Sequence, residues 1–143
     1  HIEKFGRVRS YNCGRYPTYS FAVRTKEVHK RNITFSLLFG GGAKYSNGED
    51  SLFLRDCLKA GLKMYATDVL IGKEEAGEST WFHGYSEKFF FDRGALYKYL
   101  YGCMATPFAL RFLFKHRNIM FKEEYPISMK QAYSLMKKGF EEI

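Results

Sequence analysis

The stretch Phe39-Gly-Gly-Gly-Ala-Lys-Tyr-Ser-Asn-Gly-Glu-Asp-Ser-Leu-Phe-Leu54 decides how this chain folds. Three successive glycines do not suit the interior of a helix or a strand, so Gly40–Gly42 mark a loop whose backbone bends sharply or lies close to a ligand. The hydrophobic spacing that follows is typical of an amphipathic helix over 49–60. The stretch therefore predicts a glycine loop followed by a helix whose first turn carries Glu49 and Asp50.

Further elements on both sides of this stretch are predicted from hydrophobic spacing, capping residues and glycines. They are strands over 19–24, 62–66 and 69–71, a short helix over 26–31 that stops at Asn32, a helix over 94–101 capped by Asp92, a helix over 104–116, and a last helix that begins with the capping box of Ser128 and Gln131. Helices that alternate with short strands indicate an α/β chain with a short mixed sheet and several helices.

Length and cysteine content exclude several classes of protein. A chain of 143 residues fits one domain. Cys13, Cys57 and Cys103 are far apart and form no Cys-x-x-Cys pair, so neither a disulfide framework nor a zinc knuckle is expected. Free cysteines are typical of a reducing compartment, so we expect a cytoplasmic location. The longest uncharged run, 99–110, is much shorter than the ~20 residues that a membrane-spanning helix needs.

Charge is distributed unevenly along the chain, whose net charge is +8. The balance of Lys and Arg against acids is +7 over residues 1–48, −4 over 49–92 and +5 over 93–143. An acidic segment between two basic ones suits a site that handles a cation and a phosphate better than it suits a nucleic-acid surface. Since no motif of a nucleic-acid-binding fold is present either, no nucleic-acid partner is expected.

The C-terminal region combines basic and aromatic residues, and its pattern has two interpretations. The basic members are Arg111, Lys115, His116, Arg117 and Lys122, and they interleave with Phe108, Phe112, Phe114 and Phe121. Such a pattern can lie on an anionic lipid surface. It is equally typical of a helix that packs on the core through its aromatic residues and exposes a solvated basic face.

The chemistry of the chain is expected at Glu49 and Asp50. A carboxylate in the first turn of a helix is held by backbone N–H groups and favoured by the helix dipole, so it is ionised and fixed in position. Such a carboxylate can act as a general base toward a hydroxyl group. From spacing alone, the alternative that either residue merely caps the helix stays open. The motifs of zinc proteases, serine hydrolases and Walker loops are absent from the sequence.

Several segments together resemble one enzyme family. They are 39–54 with its Gly48-Glu49-Asp50 element, Ser79-Thr-Trp-Phe-His-Gly-Tyr85, Glu87-Lys-Phe-Phe-Phe-Asp-Arg-Gly94 and the strand predicted over 19–24. This combination resembles family 2 glycosyltransferases of the GT-A (nucleotide-diphospho-sugar transferase) fold, in the style of bacterial members that build capsular or cell-surface polysaccharide. The resemblance covers residues 19–102.

The resemblance implies roles for specific residues. Asp50 would be the general base that deprotonates an acceptor hydroxyl, which attacks the anomeric carbon of a nucleotide-activated sugar with inversion. Glu49 would support Asp50 or contact the acceptor. The substrate-binding residues implied are Gly41, Gly42, Ala43, Trp81, His83 and Tyr85. Trp81 or a neighbouring tyrosine would stack on an acceptor sugar, unless Trp81 is a core aromatic. His83 would approach the metal–diphosphate, unless it is structural.

One departure from the family decides which part of such an enzyme this chain would be. The family's N-terminal, nucleotide-binding half ends in an Asp-x-Asp metal motif, and the sequence contains no Asp-x-Asp. Residues 1–143 are therefore predicted to be an excised acceptor-side half, with 1–102 in the catalytic domain and 103–143 as a helical extension. Mg²⁺ or Mn²⁺ would be bound mainly by the missing half, and this chain alone is expected to be inactive and prone to self-association through unpaired strand edges.

The resemblance also implies partners and a location. The donor would be a nucleotide sugar, and the acceptor a glycan or a lipid-linked glycan. The enzyme would be cytoplasmic, with peripheral contact at the inner face of the membrane. The alternative function is a non-catalytic, basic and aromatic binding module for an anionic membrane surface or a nucleic acid.

Overall fold

The computed structural model describes residues 5–70, 72, 84–122 and 126–143. Within them the chain is mixed α/β and mostly helical, which is compatible with the predicted α/β class. The prediction of a mixed sheet is wrong for the described strands, because the two of them pair antiparallel. The elements are β1 (Gly6–Val8), α1 (Thr25–Lys30), α2 (Glu49–Lys59), β2 (Met64–Ala66), α3 (Glu87–Tyr101), α4 (Ala105–Lys115), α5 (Arg117–Met120) and α6 (Met129–Glu141), with 3₁₀ turns at Cys13–Arg15, Thr18–Ser20 and Gly102–Met104.

Two units can be distinguished by their internal packing. The first contains the described residues of 1–37 and 49–78, with α1, α2 and both strands. The second contains the described residues of 38–48 and 79–143, with the glycine loop and α3 to α6. The predicted division of a parent enzyme at residue 102 stays a prediction. Helices from both sides of that position share one hydrophobic cluster in the second unit.

The first unit is organised around α2. Its apolar residues Phe53, Leu54 and Cys57 are buried in a cluster with Val8 of β1 and Val28 of α1. The strands β1 and β2 pair antiparallel beside this cluster. The amphipathic helix predicted over 49–60 is thus confirmed as α2, and burial of its apolar face accounts for the helix forming here.

The end of α2 follows its sequence signal. Gly61 has a φ of 81° and donates its N–H to the carbonyl of Leu58 at 3.0 Å. The N–H of Leu62 reaches the carbonyl of Cys57 at 3.0 Å, which completes a Schellman motif. A residue with a Cβ is strained at that φ, so the glycine is what allows the chain to turn away from the helix here.

The second unit is a helical assembly in which α3 and α6 lie in close contact. Its core cluster consists of Phe90, Ala109, Leu113, Met120, Ile127, Ala132 and Met136. The predicted helix over 104–116 is confirmed as α4, and the capping box of Ser128 and Gln131 is confirmed at the start of α6. Among the described residues, no helix has the length and apolar character needed to cross a membrane.

The strand predicted over 19–24 is wrong. Thr18–Ser20 forms a 3₁₀ turn, and the four residues after it adopt no regular structure. The N–H and the hydroxyl of Ser20 both donate to the carbonyl of Pro17, each at 2.8 Å, and this closes the turn. Alternating side chains alone do not make a strand when no neighbouring strand pairs with them.

The strand predicted over 69–71 is wrong for the two residues that can be compared. Val69 and Leu70 are exposed and adopt no strand, and Ile71 lies outside the described residues. The strand predicted over 62–66 is confirmed in its last three residues as β2. The short helix predicted over 26–31 is confirmed as α1, and Asn32 follows it with a positive φ of 51°.

The start predicted for the helix over 94–101 is also wrong, because α3 begins seven residues earlier, at Glu87. Ser86 is the N-cap of α3, and its hydroxyl accepts the N–H of Phe89 at 3.2 Å. Asp92 lies inside the helix and is 1% exposed. Its short polar side chain serves a non-local contact, which the next subsection describes.

Candidate functional site

The carboxylate pair lies where the sequence predicts it, in the first turn of α2. Glu49 and Asp50 are both half-buried there. The hydroxyl of Thr18 donates a hydrogen bond to Oδ1 of Asp50. This bond joins two segments 32 residues apart, so it fixes the direction of the Asp50 carboxylate relative to the rest of the first unit.

Thr18 is a site residue that sequence analysis missed. It lies in the 3₁₀ turn that stands where a strand was predicted, and nothing in its spacing points to α2. The next residue, Tyr19, has a ring that is 66% exposed. An oriented carboxylate is thus bonded to a turn that carries an exposed aromatic ring, and such rings pack well on the C–H faces of sugars and other flat apolar groups.

Stacked aromatic rings support the helix that carries this pair. The ring of Phe53, one turn after Asp50, stacks on Phe35 at 4.3 Å and on Phe21 at 6.0 Å between ring centroids. Phe53 itself is buried, whereas Phe35 is exposed. The first turn of α2 is therefore anchored by packing as well as by the Thr18 hydrogen bond.

The glycine loop belongs to the second unit and is closed by its own backbone. The N–H of Gly40 donates to the carbonyl of Tyr45 at 2.9 Å, and the N–H of Ala43 donates to Gly40 at 3.1 Å. Gly40 and Gly42 have φ of 122° and 79°. The predicted sharp bend is confirmed. A Cβ at Gly42 would meet nothing within 4 Å, so its backbone conformation and not close packing requires glycine there.

The predicted catalytic residues and the described substrate-binding residues belong to different units. Gly41, Gly42 and Ala43 lie in the glycine loop, with both glycines exposed. Tyr85 lies just before α3, half-buried, with its ring edge-on to Phe89 at 5.3 Å. All four belong to the second unit, whereas Glu49 and Asp50 belong to the first. Trp81 and His83 lie outside the described residues.

A buried polar cluster connects the end of the glycine loop to α3. Oδ2 of Asp92 accepts the N–H of Ser46 at 2.9 Å, its hydroxyl at 2.7 Å and the ammonium of Lys88 at 2.7 Å. Lys88 also donates to the carbonyl of Lys44 at 2.9 Å. Oδ1 of Asp92 is buried and has no hydrogen-bond partner. The sequence signal for this cluster was the i, i+4 spacing of Lys88 and Asp92.

An open pocket of about 350 Å³ adjoins this cluster. Its lining comprises Lys44, Tyr45, Glu87, Lys88, Phe91, Asp92 and Leu135. The cation of Lys44 is already paired with Glu142 at 2.6 Å. The two cations at its rim, Lys44 and Lys88, are thus engaged with protein carboxylates and are not free to attract an anionic ligand.

The buried cysteines of the chain are neither activated nor grouped with described metal-binding side chains. Burial raises the pKa of the Cys13 thiol and of the Cys57 thiol, so neither is an activated nucleophile. Cys103 is exposed, and all three cysteines are free. Among the described residues, no group of three or more His, Cys, Asp or Glu side chains is placed to hold a metal ion.

An arginine inside the second unit is surrounded by aromatic rings. Its guanidinium lies over the rings of Phe89 and Phe112, at 5.2 and 5.3 Å from their centroids. Desolvation lowers the pKa of this residue, Arg93, and its Nε is buried without a hydrogen-bond partner. Attraction to the ring faces offsets part of the cost of burying this charge.

Tyr97, beside this arginine, makes stability depend on pH in alkaline solution. Burial raises the pKa of Tyr97 to about 12, against the opposing effect of Arg93. Above pH ~10 the unfolded chain releases the phenol proton while the folded chain keeps it. The free energy of unfolding therefore decreases between pH ~10 and pH ~12. Two pKa units correspond to about 3 kcal/mol. Urea unfolding at several pH values should show this loss, reduced in Tyr97→Phe, whereas parallel curves would contradict it.

The comparisons with protein-family models, curated proteins and solved structures find no match to this chain. The resemblance to family 2 glycosyltransferases therefore stays a hypothesis that rests on the quoted segments. The structural basis for a function is the arrangement of Thr18, Asp50 and the residues around them.

Proposed function

We propose that this chain is the acceptor-side part of an inverting glycosyltransferase that uses a nucleotide-sugar donor, with Asp50 as the general base. The observation that carries the proposal is the orientation of Asp50, which is half-buried at the start of α2 and held by the hydroxyl of Thr18. This hydrogen bond holds the carboxylate in one orientation. Such an orientation supports the role of a base, because proton transfer requires the carboxylate at a fixed distance and angle.

The proposed reaction balances with these residues. Asp50 removes the proton of an acceptor hydroxyl as the hydroxyl oxygen forms a bond to the anomeric carbon of the donor sugar. The bond from that carbon to the diphosphate oxygen breaks on the opposite face, and the electron pair leaves with the nucleoside diphosphate. The proton remains on Asp50 until solvent takes it. Thr18 acts as a positioning residue, and the exposed ring of Tyr19 offers a surface for a sugar ring.

The donor and its metal are assigned to other parts of the enzyme. The described residues do not provide a set of ligands for Mg²⁺ or Mn²⁺. No step of the proposed mechanism is therefore derived through a metal in this chain. The acceptor in the proposal is a glycan, free or lipid-linked.

The test is nucleotide release by the polypeptide that the complete reading frame around this chain encodes. A panel of UDP- and GDP-sugars is incubated with Mn²⁺, with and without oligosaccharide acceptors. Release from at least one donor that an acceptor accelerates is the expected result. Absence of release with every donor would overturn the proposal, as would release that no acceptor changes.

A further inference from the structure

The outward side of α4 carries apolar side chains. Ala105, Ala109 and Leu113 are buried on the inward side of the helix. Leu110 and Phe114, four residues apart, are turned about 120° away from the middle of that side and are 38% and 55% exposed. A helix advances 100° per residue, so side chains four apart stand one above the other and form a row along the axis.

Basic residues form a second row beside the apolar one. Arg111 and Lys115 follow Leu110 and Phe114 by one residue each, and both are exposed. Within the described part of the chain neither takes part in an ion pair. Residues 93–122 contain six Lys and Arg and no acid, so no carboxylate of this segment neutralises the row.

The sequence left two interpretations of this region, and both describe part of it. Phe112 packs against the core cluster, as expected for a core-packing helix. Phe114 does not, and Leu110 joins it on the exposed side. A solvated basic face does not account for the exposed apolar row beside these cations, because exposing Leu and Phe side chains to water is unfavourable.

We propose that the outward face of α4, defined by Leu110, Arg111, Phe114 and Lys115, binds an anionic lipid surface. The apolar row enters the boundary between headgroups and acyl chains, and the basic row contacts lipid phosphates. A second copy of the chain is disfavoured as the occupant, because pairing two such faces would bring the basic rows together. A nucleic acid is disfavoured because Leu110 neither pairs with phosphates nor stacks on bases, and Phe114 alone offers one ring where binding of a single strand uses several in succession. The inference does not depend on the proposed transferase activity.

The experiment is co-sedimentation of the 143-residue chain with vesicles. Vesicles of phosphatidylcholine alone are compared with vesicles of phosphatidylcholine and phosphatidylglycerol in equal parts, at low and high salt. Binding is expected to the anionic vesicles and to weaken with salt. Because one basic residue near an anionic surface contributes about five-fold in affinity, Arg111→Gln/Lys115→Gln should bind ~25-fold more weakly. Leu110→Ser/Phe114→Ser should lose at least ~10-fold.

Matched controls separate this face from general charge and hydrophobicity. Lys59→Gln/Lys63→Gln removes two exposed cations elsewhere, and Leu37→Ser removes a fully exposed apolar side chain. Neither should weaken binding as much as its counterpart in α4. Circular dichroism at 222 nm establishes that each variant is folded. Equal binding to neutral vesicles, equal loss in the controls, or displacement of the chain from vesicles by single-stranded RNA at the same affinity would each overturn the proposal.

Discussion

Asp50→Asn is expected to lower acceptor-dependent nucleotide release by at least ~10²-fold, the lower end of what a positioned general base contributes. The amide has nearly the shape of the carboxylate and can still accept a hydrogen bond from Thr18, so the geometry at the start of α2 is retained. It cannot take the proton of the acceptor hydroxyl. The loss should therefore appear in kcat, with little change in the KM for the donor.

The same substitution separates a catalytic base from a helix cap. Removing one negative charge from the first turn of a helix costs about 0.3–1 kcal/mol of stability. If Asp50 only capped α2, the folded variant would release nucleotide at the rate of the natural protein and only its unfolding midpoint would shift. Equal rates in the two folded proteins would thus remove Asp50 from the mechanism.

Three further substitutions make that result specific. Asp56→Asn removes an exposed carboxylate from the same helix and should leave the rate unchanged. Thr18→Val removes the hydroxyl that orients Asp50 and should lower the rate less than Asp50→Asn does, whereas Thr18→Ser keeps the hydroxyl and should restore most of it. A similar loss in Asp56→Asn would point to charge and not to position.

Elements determined by short-range signals could be predicted from the sequence. α2 ends at a glycine with a positive φ, and α6 begins at a capping box, and both signals lie within a few residues of the boundary they set. The bend of the glycine loop has the same origin. In each case the residue is required by the backbone conformation at its own position, so no knowledge of distant segments is needed.

Features that depend on distant segments could not be predicted. Residues 19–24 alternate as a strand does, yet no described segment pairs with them as a strand, and the carbonyl of Pro17 accepts the hydrogen bonds of a turn instead. Asp92 was predicted as a helix cap because Asp is a favoured N-cap residue. In the structure its buried carboxylate instead accepts a hydrogen bond from Ser46, 46 residues away. The carboxylate pair could be predicted because its place in the helix depends on neighbouring residues. The role of Thr18 could not be predicted, because it depends on a contact between segments 32 residues apart.

A second large effect is expected where α3 and α6 cross. A Cβ on Gly94 would lie 2.1 Å from the carbonyl oxygen of Met136, and one on Gly139 would lie 2.2 Å from that of Phe91. Both obstacles are backbone atoms, which cannot rotate away as a side chain can. Each glycine therefore allows the two helices to approach closely. This approach lets Phe90 and Met136 pack in the same hydrophobic cluster.

Gly94→Ala should destabilise the protein although alanine is the better helix former. The gain in helix propensity is about 1 kcal/mol. Against it, the two helices must separate, and overpacking a well-packed core costs about 1–3 kcal/mol and occasionally more. Since rigid backbone is displaced along two helices here, we expect a net loss of about 3 kcal/mol or more, the upper end of that range. Urea unfolding followed by circular dichroism at 222 nm measures it.

Gly72→Ala is the control for Gly94→Ala, because a Cβ there would meet nothing within 4 Å and its φ lies outside the range that favours glycine. It should change the free energy of unfolding by no more than ~1 kcal/mol, because it restricts only the unfolded chain. Gly139→Ala should behave like Gly94→Ala, since it blocks the same crossing from the other helix. If Gly94→Ala were as stable as the natural protein, α3 and α6 could not lie at this distance. The close crossing of the two helices would then not be the reason that glycine occupies positions 94 and 139.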